Sequence, residues 1–305
     1  MLPADAVRPV WSSAGALVYI GGLVVLLATL GLLGVVDEDG GDWALTVAGL
    51  VACAAAFALA VGLQRAERAI AAGVAATLGV VFSGVTAGAL LSGLGVLDAD
   101  IGDYQPATLV VWAVVIATAL AALARFRAPL LALPIALTFW IAVTDLGSLV
   151  SWEDAGEWLS VLAGLLLIAD GYSLDRRDRR PYGFWPHAVG GLALGGAIAF
   201  IAGDDAWPVT ALVGIAFVAI AFALGRSSYA VLGALGMLLA TTLFAVEPFT
   251  AFGLGLPFGP PAEGDGLDGW QVAASFLVAG LVIAGIGVAG RFAWPGRTGP
   301  DPAEG

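Results

Sequence analysis

Two carboxylates interrupt otherwise apolar stretches: Asp145 within Pro129–Val150, and Asp170 within Trp158–Ser173. An ionised side chain is costly in hydrocarbon, so it persists where it pairs, binds a cation or lines a polar path. Thr138 and Ser148 stand seven residues before Asp145 and three after it, and Thr144 adjoins it. That spacing puts Thr138, Asp145 and Ser148 on one face of a helix. Pro134, earlier in the same run, would free backbone carbonyls near that face. The group is a candidate polar intramembrane site for a small solute or cation, or a hydrogen-bonded clamp between helices; its residue types admit both. Asp170 lies five residues before Asp175 and the run of Arg176, Arg177, Arg179 and Arg180. It either pairs with that basic run or forms a second candidate pair with His187, the chain's one histidine.

Membrane aspartates on successive helices invite comparison with intramembrane aspartyl proteases, whose two carboxylates must share a depth in order to share a proton. Counted from the outer ends of the two runs, Asp170 lies about five residues deeper than Asp145, roughly 8 Å. The flanking residues Thr144-Asp145-Leu146-Gly147 and Ala169-Asp170-Gly171-Tyr172 also lack the Gly-x-Gly-Asp pattern of those enzymes. The chain has no His-Glu-x-x-His, no phosphate-binding loop, and only Cys53 among cysteines. Gly253, Gly255 and Gly259 neither follow a strand nor open a helix, as a dinucleotide fingerprint requires. These patterns predict no enzyme, no metal and no cofactor.

The elements that must position these residues are membrane helices. Of 305 residues 60% are hydrophobic and 12% charged, with a mean hydropathy of +0.97; soluble domains carry about 25% charge. A spanning helix needs about 20 mostly apolar residues. Ten runs qualify: Ala14–Val36, Trp43–Leu63, Ala69–Leu97, Thr108–Ala124, Pro129–Val150, Trp158–Ser173, Phe184–Ala202, Trp207–Gly225, Tyr229–Val246 and Trp270–Gly290. The expectation is an all-α, polytopic bundle of about ten helices. Residues 1–13 form a short N-terminal segment, 14–293 a single transmembrane domain, and 294–305 a disordered tail. Pro248–Gly269 is a long external loop or a partly re-entrant segment.

The loops set the orientation. Acids follow the first, third and fifth runs (Asp37, Glu38, Asp39, Asp42; Asp98, Asp100, Asp103; Glu153, Asp154, Glu157), and arginines follow the second, fourth and sixth (Arg65, Arg68; Arg125, Arg127; Arg176, Arg177). All twelve arginines, Arg8 and Arg297 included, fall on one side of a ten-span chain. Basic short loops stay in the cytoplasm, so both termini are expected there and the protein in the cytoplasmic membrane. Trp11, Trp43, Trp152, Trp158, Trp185, Trp207, Trp270 and Trp294 sit at run ends, where an indole meets the headgroups.

A net charge of −12 argues against nucleic acid, which is bound by neutralising phosphates with Lys and Arg; the expected partner is the lipid bilayer. The chain has neither Lys nor Asn, which points either to a GC-rich genome or to a salt-loving source whose acidic surface stays hydrated. Forty-three glycines, with spacings such as Gly191 to Gly195, let helix backbones approach closely. A homo-oligomer is open on that pattern without being indicated by it.

The chain resembles an uncharacterised family of polytopic membrane proteins, filed as a domain of unknown function, mainly over residues 108–250. The resembling residues are Arg125 and Arg127 followed by Pro129-Leu130-Leu131, Pro134, Trp140 and Asp145; Leu174-Asp175-Arg176-Arg177; Phe184-Trp185; and Leu232-Gly233-Ala234-Leu235-Gly236. Leu17-Val18-Tyr19-Ile20-Gly21-Gly22 is similar to the opening helix of related proteins. The resemblance implies a multi-helix membrane fold and no particular activity.

Overall fold

The computed structural model describes residues 13–97, 106–149, 154–177, 180–203, 206–224, 229–238 and 240–241. The described residues are helical, in the order α1 (Ser13–Arg65), α2 (Ala69–Gly93), α3 (Thr108–Phe126), a 3-10 turn (Pro129–Leu131), α4 (Ala132–Asp145), a second 3-10 turn (Leu146–Leu149), α5 (Ala155–Arg176), α6 (Arg180–Ile201) and α7 (Ala206–Leu224). A short α8 follows over Tyr229–Leu238. Among the described residues five helices are long and apolar enough to cross a membrane: Val18–Arg65, Ala69–Gly93, Thr108–Phe126, Ala155–Arg176 and Tyr182–Ile201. Pro129–Asp145, Pro208–Phe222 and Tyr229–Leu238 are shorter apolar helices. The expected tenth run, Trp270–Gly290, lies outside the described residues, as do the Pro248–Gly269 loop and the tail.

The first two apolar runs form α1, which breaks at Gly41 with φ 68° and ψ −174°. That backbone region is open essentially to glycine alone. Contacts with α2 give the consequence. Gly22 abuts Val74 in the first limb, whereas in the second limb Phe57, Gly49 and Trp43 meet Gly79, Thr86 and Gly93 respectively. With Leu33 of the first limb in one buried cluster with Phe82, the first limb runs parallel to α2 and the second antiparallel to it, so the chain doubles back at Gly41. The helix also continues through Asp37, Glu38 and Asp39, where acids suggested a loop. No Gly or Pro lies between Val35 and Asp39, and the three acids are exposed.

Every later pair of successive helices is also antiparallel. Gly73 meets Ala128 while Gly84 meets Val115, setting α2 against α3. Trp140 bonds Ser160 while Gly147 touches Gly156, setting α4 against α5. Gly171 meets His187 while Gly190 meets Gly164, setting α5 against α6. The core between α1, α2 and α3 is built largely of alanine: Ala60, Ala75, Ala76, Ala119 and Ala122, closed by Val80, Val115 and Leu131. Small side chains at helix contacts suit a bundle in lipid, where association comes from close packing rather than from expulsion of water.

The chain divides into two compact units, Met1–Gly190 and Gly191–Gly305. In the second, Gly191 lies against Leu232, Gly195 against Phe217 and Val213, and Gly214 against the Gly233 carbonyl. The Gly191–Gly195 spacing therefore admits helices of the same chain. Among its described residues the largest fully buried side chain is Tyr229, whose ring centroid lies 5.9 Å from that of Phe217.

Candidate functional site

Asp145 is the last residue of α4 and is half-buried. Its Oδ2 accepts a hydrogen bond of 2.7 Å from the indole Nε1–H of Trp112, in the second turn of α3. Both residues sit near the same end of the antiparallel pair. One turn down α4, the indole N–H of Trp140 donates to Ser160 Oγ of α5 at 2.7 Å. Two tryptophans thus tie α4 to its neighbours on either side, one through a carboxylate and one through a hydroxyl. Just beyond Asp145, Gly147 and Gly156 pass so closely that a Cβ on Gly147 would stand 2.6 Å from the Gly156 nitrogen.

The other residues expected here take different parts. Thr144 donates its hydroxyl to the Trp140 carbonyl at 3.0 Å. Thr138 is buried, with 5% of its surface exposed. Ser148 falls in the 3-10 turn beyond the end of α4, and its side chain lies outside the described residues. Pro134 stands in the first turn of α4, where backbone N–H groups have no helical partner in any case. It therefore frees no carbonyl beside Asp145.

At the opposite end of the first unit, His187 is completely buried on α6, one residue after Pro186. Its Nε2 lies 3.2 Å from Asp175 Oδ2 on α5. Asp170 is exposed on α5. The structure thus brings His187 to Asp175, and Asp170 stands outside that hydrogen bond. Glycine makes the room. A Cβ on Gly171 would stand 2.9 Å from three ring atoms of His187, and one on Gly183 would stand 2.6 Å from Asp175 Oδ1.

Chemically, an indole N–H can only donate, so it holds Asp145 by a lone pair and leaves the second carboxylate oxygen to other partners. The Asp175–His187 contact joins a proton acceptor to a group that carries a proton in either tautomer. Neither arrangement contains a nucleophile aligned with a base. Among the described residues no three His, Cys, Asp or Glu side chains stand together as a metal site. Cys53 lies half-buried with its sulfur 3.3 Å from the Gly79 carbonyl.

The sequence reading missed Trp112 because it is 33 residues from Asp145 and stands near a run end, where indoles serve as headgroup anchors. Matching depths measured from the ends of the fourth and fifth runs would have paired them. Comparison with protein-family models, curated proteins and solved structures returns no match.

Proposed function

We propose that the chain is a multi-pass protein of the cytoplasmic membrane with ten spans and both termini in the cytoplasm. On this reading its buried polar groups clamp helices together in a non-catalytic scaffold or assembly subunit. The observation that carries the proposal is the 2.7 Å bond from Trp112 to Asp145: the most exceptional side chain in the apolar sequence is engaged by a neighbouring helix, as a clamp requires. The Trp140–Ser160 bond supports the same role. The resemblance over residues 108–250 is taken as kinship, and it supplies an architecture rather than an activity.

A permease for a small solute or cation is the second reading. It is favoured by the position of Asp145 and of Asp175–His187 near opposite ends of neighbouring helices in one unit, as groups on a path would be. Asp145→Asn separates the two readings. It keeps shape and hydrogen-bonding capacity while removing the charge. The clamp reading expects wild type and variant to be equally silent in liposome flux assays with protons, sodium and potassium, and the variant to be at least as stable. A cation-dependent flux in wild type that disappears in the variant would replace the scaffold by the permease.

A further inference from the structure

The described arginines of the first unit gather at one end, where Glu67 and Asp175 also lie. Arg65 and Arg68 lie at the α1–α2 turn, Arg125 and Arg127 at the end of α3, and Arg176 and Arg177 at the end of α5; all six are exposed. Antiparallel packing puts these turns at one end of the unit, and two bonds link them. Arg125 donates to Gln64 Oε1 at 2.6 Å, and the Tyr182 hydroxyl donates to the Arg127 carbonyl at 2.7 Å. The opposite end carries Asp37, Glu38, Asp39, Asp42, Asp154 and Glu157.

In so acidic a protein these arginines would be expected to pair with carboxylates. Among the described residues none of the six does. Arg125 reaches a neutral amide and lies 5.6 Å from the Phe126 ring centroid, and Arg176 lies 4.8 Å from that of Tyr172. Among the described residues these six guanidinium groups are therefore open to an added anion. A guanidinium matches phosphate through paired N–H donors.

The surroundings decide which phosphate. Within about two turns of Arg65 and Arg125 the outer surface of the same helices is apolar, with Leu59 and Leu120 56% and 51% exposed. Such a surface fits an amphiphile, with the phosphate at the arginines and acyl chains along the leucines. We infer that the Arg65/Arg68 and Arg125/Arg127 turns form a binding surface for the phosphate headgroups of anionic lipids in the facing leaflet. Basic residues beside a membrane attract anionic lipid within about a Debye length.

This inference rests on the membrane reading above, and the experiment distinguishes the failure of one from the failure of the other. The full chain is reconstituted in phosphatidylcholine vesicles and in vesicles where phosphatidylglycerol replaces part of that lipid. Insertion is checked by flotation, and thermal unfolding is followed by helical circular dichroism. The midpoint should be higher with the anionic lipid, and the gain should shrink as sodium chloride is added. R125Q/R127Q and R65Q/R68Q, whose side chains are all exposed, should each lose a substantial part of the gain. If the first variant does not fold, the second decides alone. Equal midpoints in the two lipids, or variants that keep the whole gain, overturn the inference. Glycerol 1-phosphate reproducing the gain in phosphatidylcholine vesicles would overturn the lipid assignment in favour of a soluble phosphate. A chain that fails to float with either vesicle refutes the membrane reading instead.

Discussion

Replacing Trp112 by Phe keeps an aromatic ring on α3 and removes the N–H that Asp145 accepts, together with the second ring of the indole, a packing loss that is common to the wild-type and Asp145→Ala backgrounds. Interhelical hydrogen bonds in membranes average about 0.6 kcal/mol and reach about 1.7. A bond to an ionised acceptor is worth about 1.5–3 kcal/mol elsewhere in proteins. The 2.7 Å length and half-buried carboxylate place this one near the upper membrane figure, so W112F should cost about 1.5 kcal/mol, roughly a tenfold change in the folding equilibrium. The assay is SDS-induced unfolding from mixed micelles read by helical circular dichroism, which is insensitive to the lost indole. Asp145→Ala removes the acceptor, and W112F in that background should cost about 1 kcal/mol less than in wild type. A loss below about 0.3 kcal/mol, or costs that simply add, would refute a clamp built on this bond.

Gly41→Ala should destabilise by about 1–3 kcal/mol in the same assay, because its φ of 68° with extended ψ excludes a side chain. Gly171→Ala drives a Cβ to 2.9 Å from the His187 ring and should cost about 1–3 kcal/mol. Gly62→Ala, with nothing within 4 Å of its missing Cβ, is the control and should be neutral or slightly stabilising. If the chain comes from a halophile, its melting midpoint in uncharged detergent should fall as salt is lowered, because screening of acids such as Asp37, Glu38 and Asp39 is lost; an indifferent midpoint leaves GC-rich codon usage as the explanation.

The helical segments were readable because apolar length and polar punctuation are local properties. Asp37 to Asp42 and Arg65 to Arg68 mark both ends of the second limb of α1, and the structure turns the chain at those places. The position of the first reversal within its acidic stretch was not readable, since acids tolerate a helix and only the conformation of Gly41 shows where it stops. Partners across helices were harder still. Asp170 was a candidate partner for His187 or for the basic run; the His187 hydrogen bond goes to Asp175, because α6 meets the face of α5 that carries Gly171 and Asp175, four residues apart, and Asp170 reaches the ring only through its charge. Asp170 is rotated about 100° from Gly171 around the same helix. Helical phase relative to a neighbour depends on how both helices pack, and a single sequence does not state it. Thr144 stood out by proximity in sequence, and its hydroxyl goes to the Trp140 carbonyl; Trp112 was overlooked because proximity across an interface is not visible in a single sequence.

The central claim is an alternating bundle with its arginine-bearing turns in the cytoplasm, and the α1 hairpin tests it most directly. In a Cys53→Ser background, Asp39→Cys and Glu67→Cys place single thiols at the acidic turn and at the basic turn after Arg65. A membrane-impermeant maleimide applied to intact cells should label the cysteine at 39 and leave that at 67 unlabelled until the membrane is opened. Labelling of both from outside, or of position 67 alone, would contradict the account.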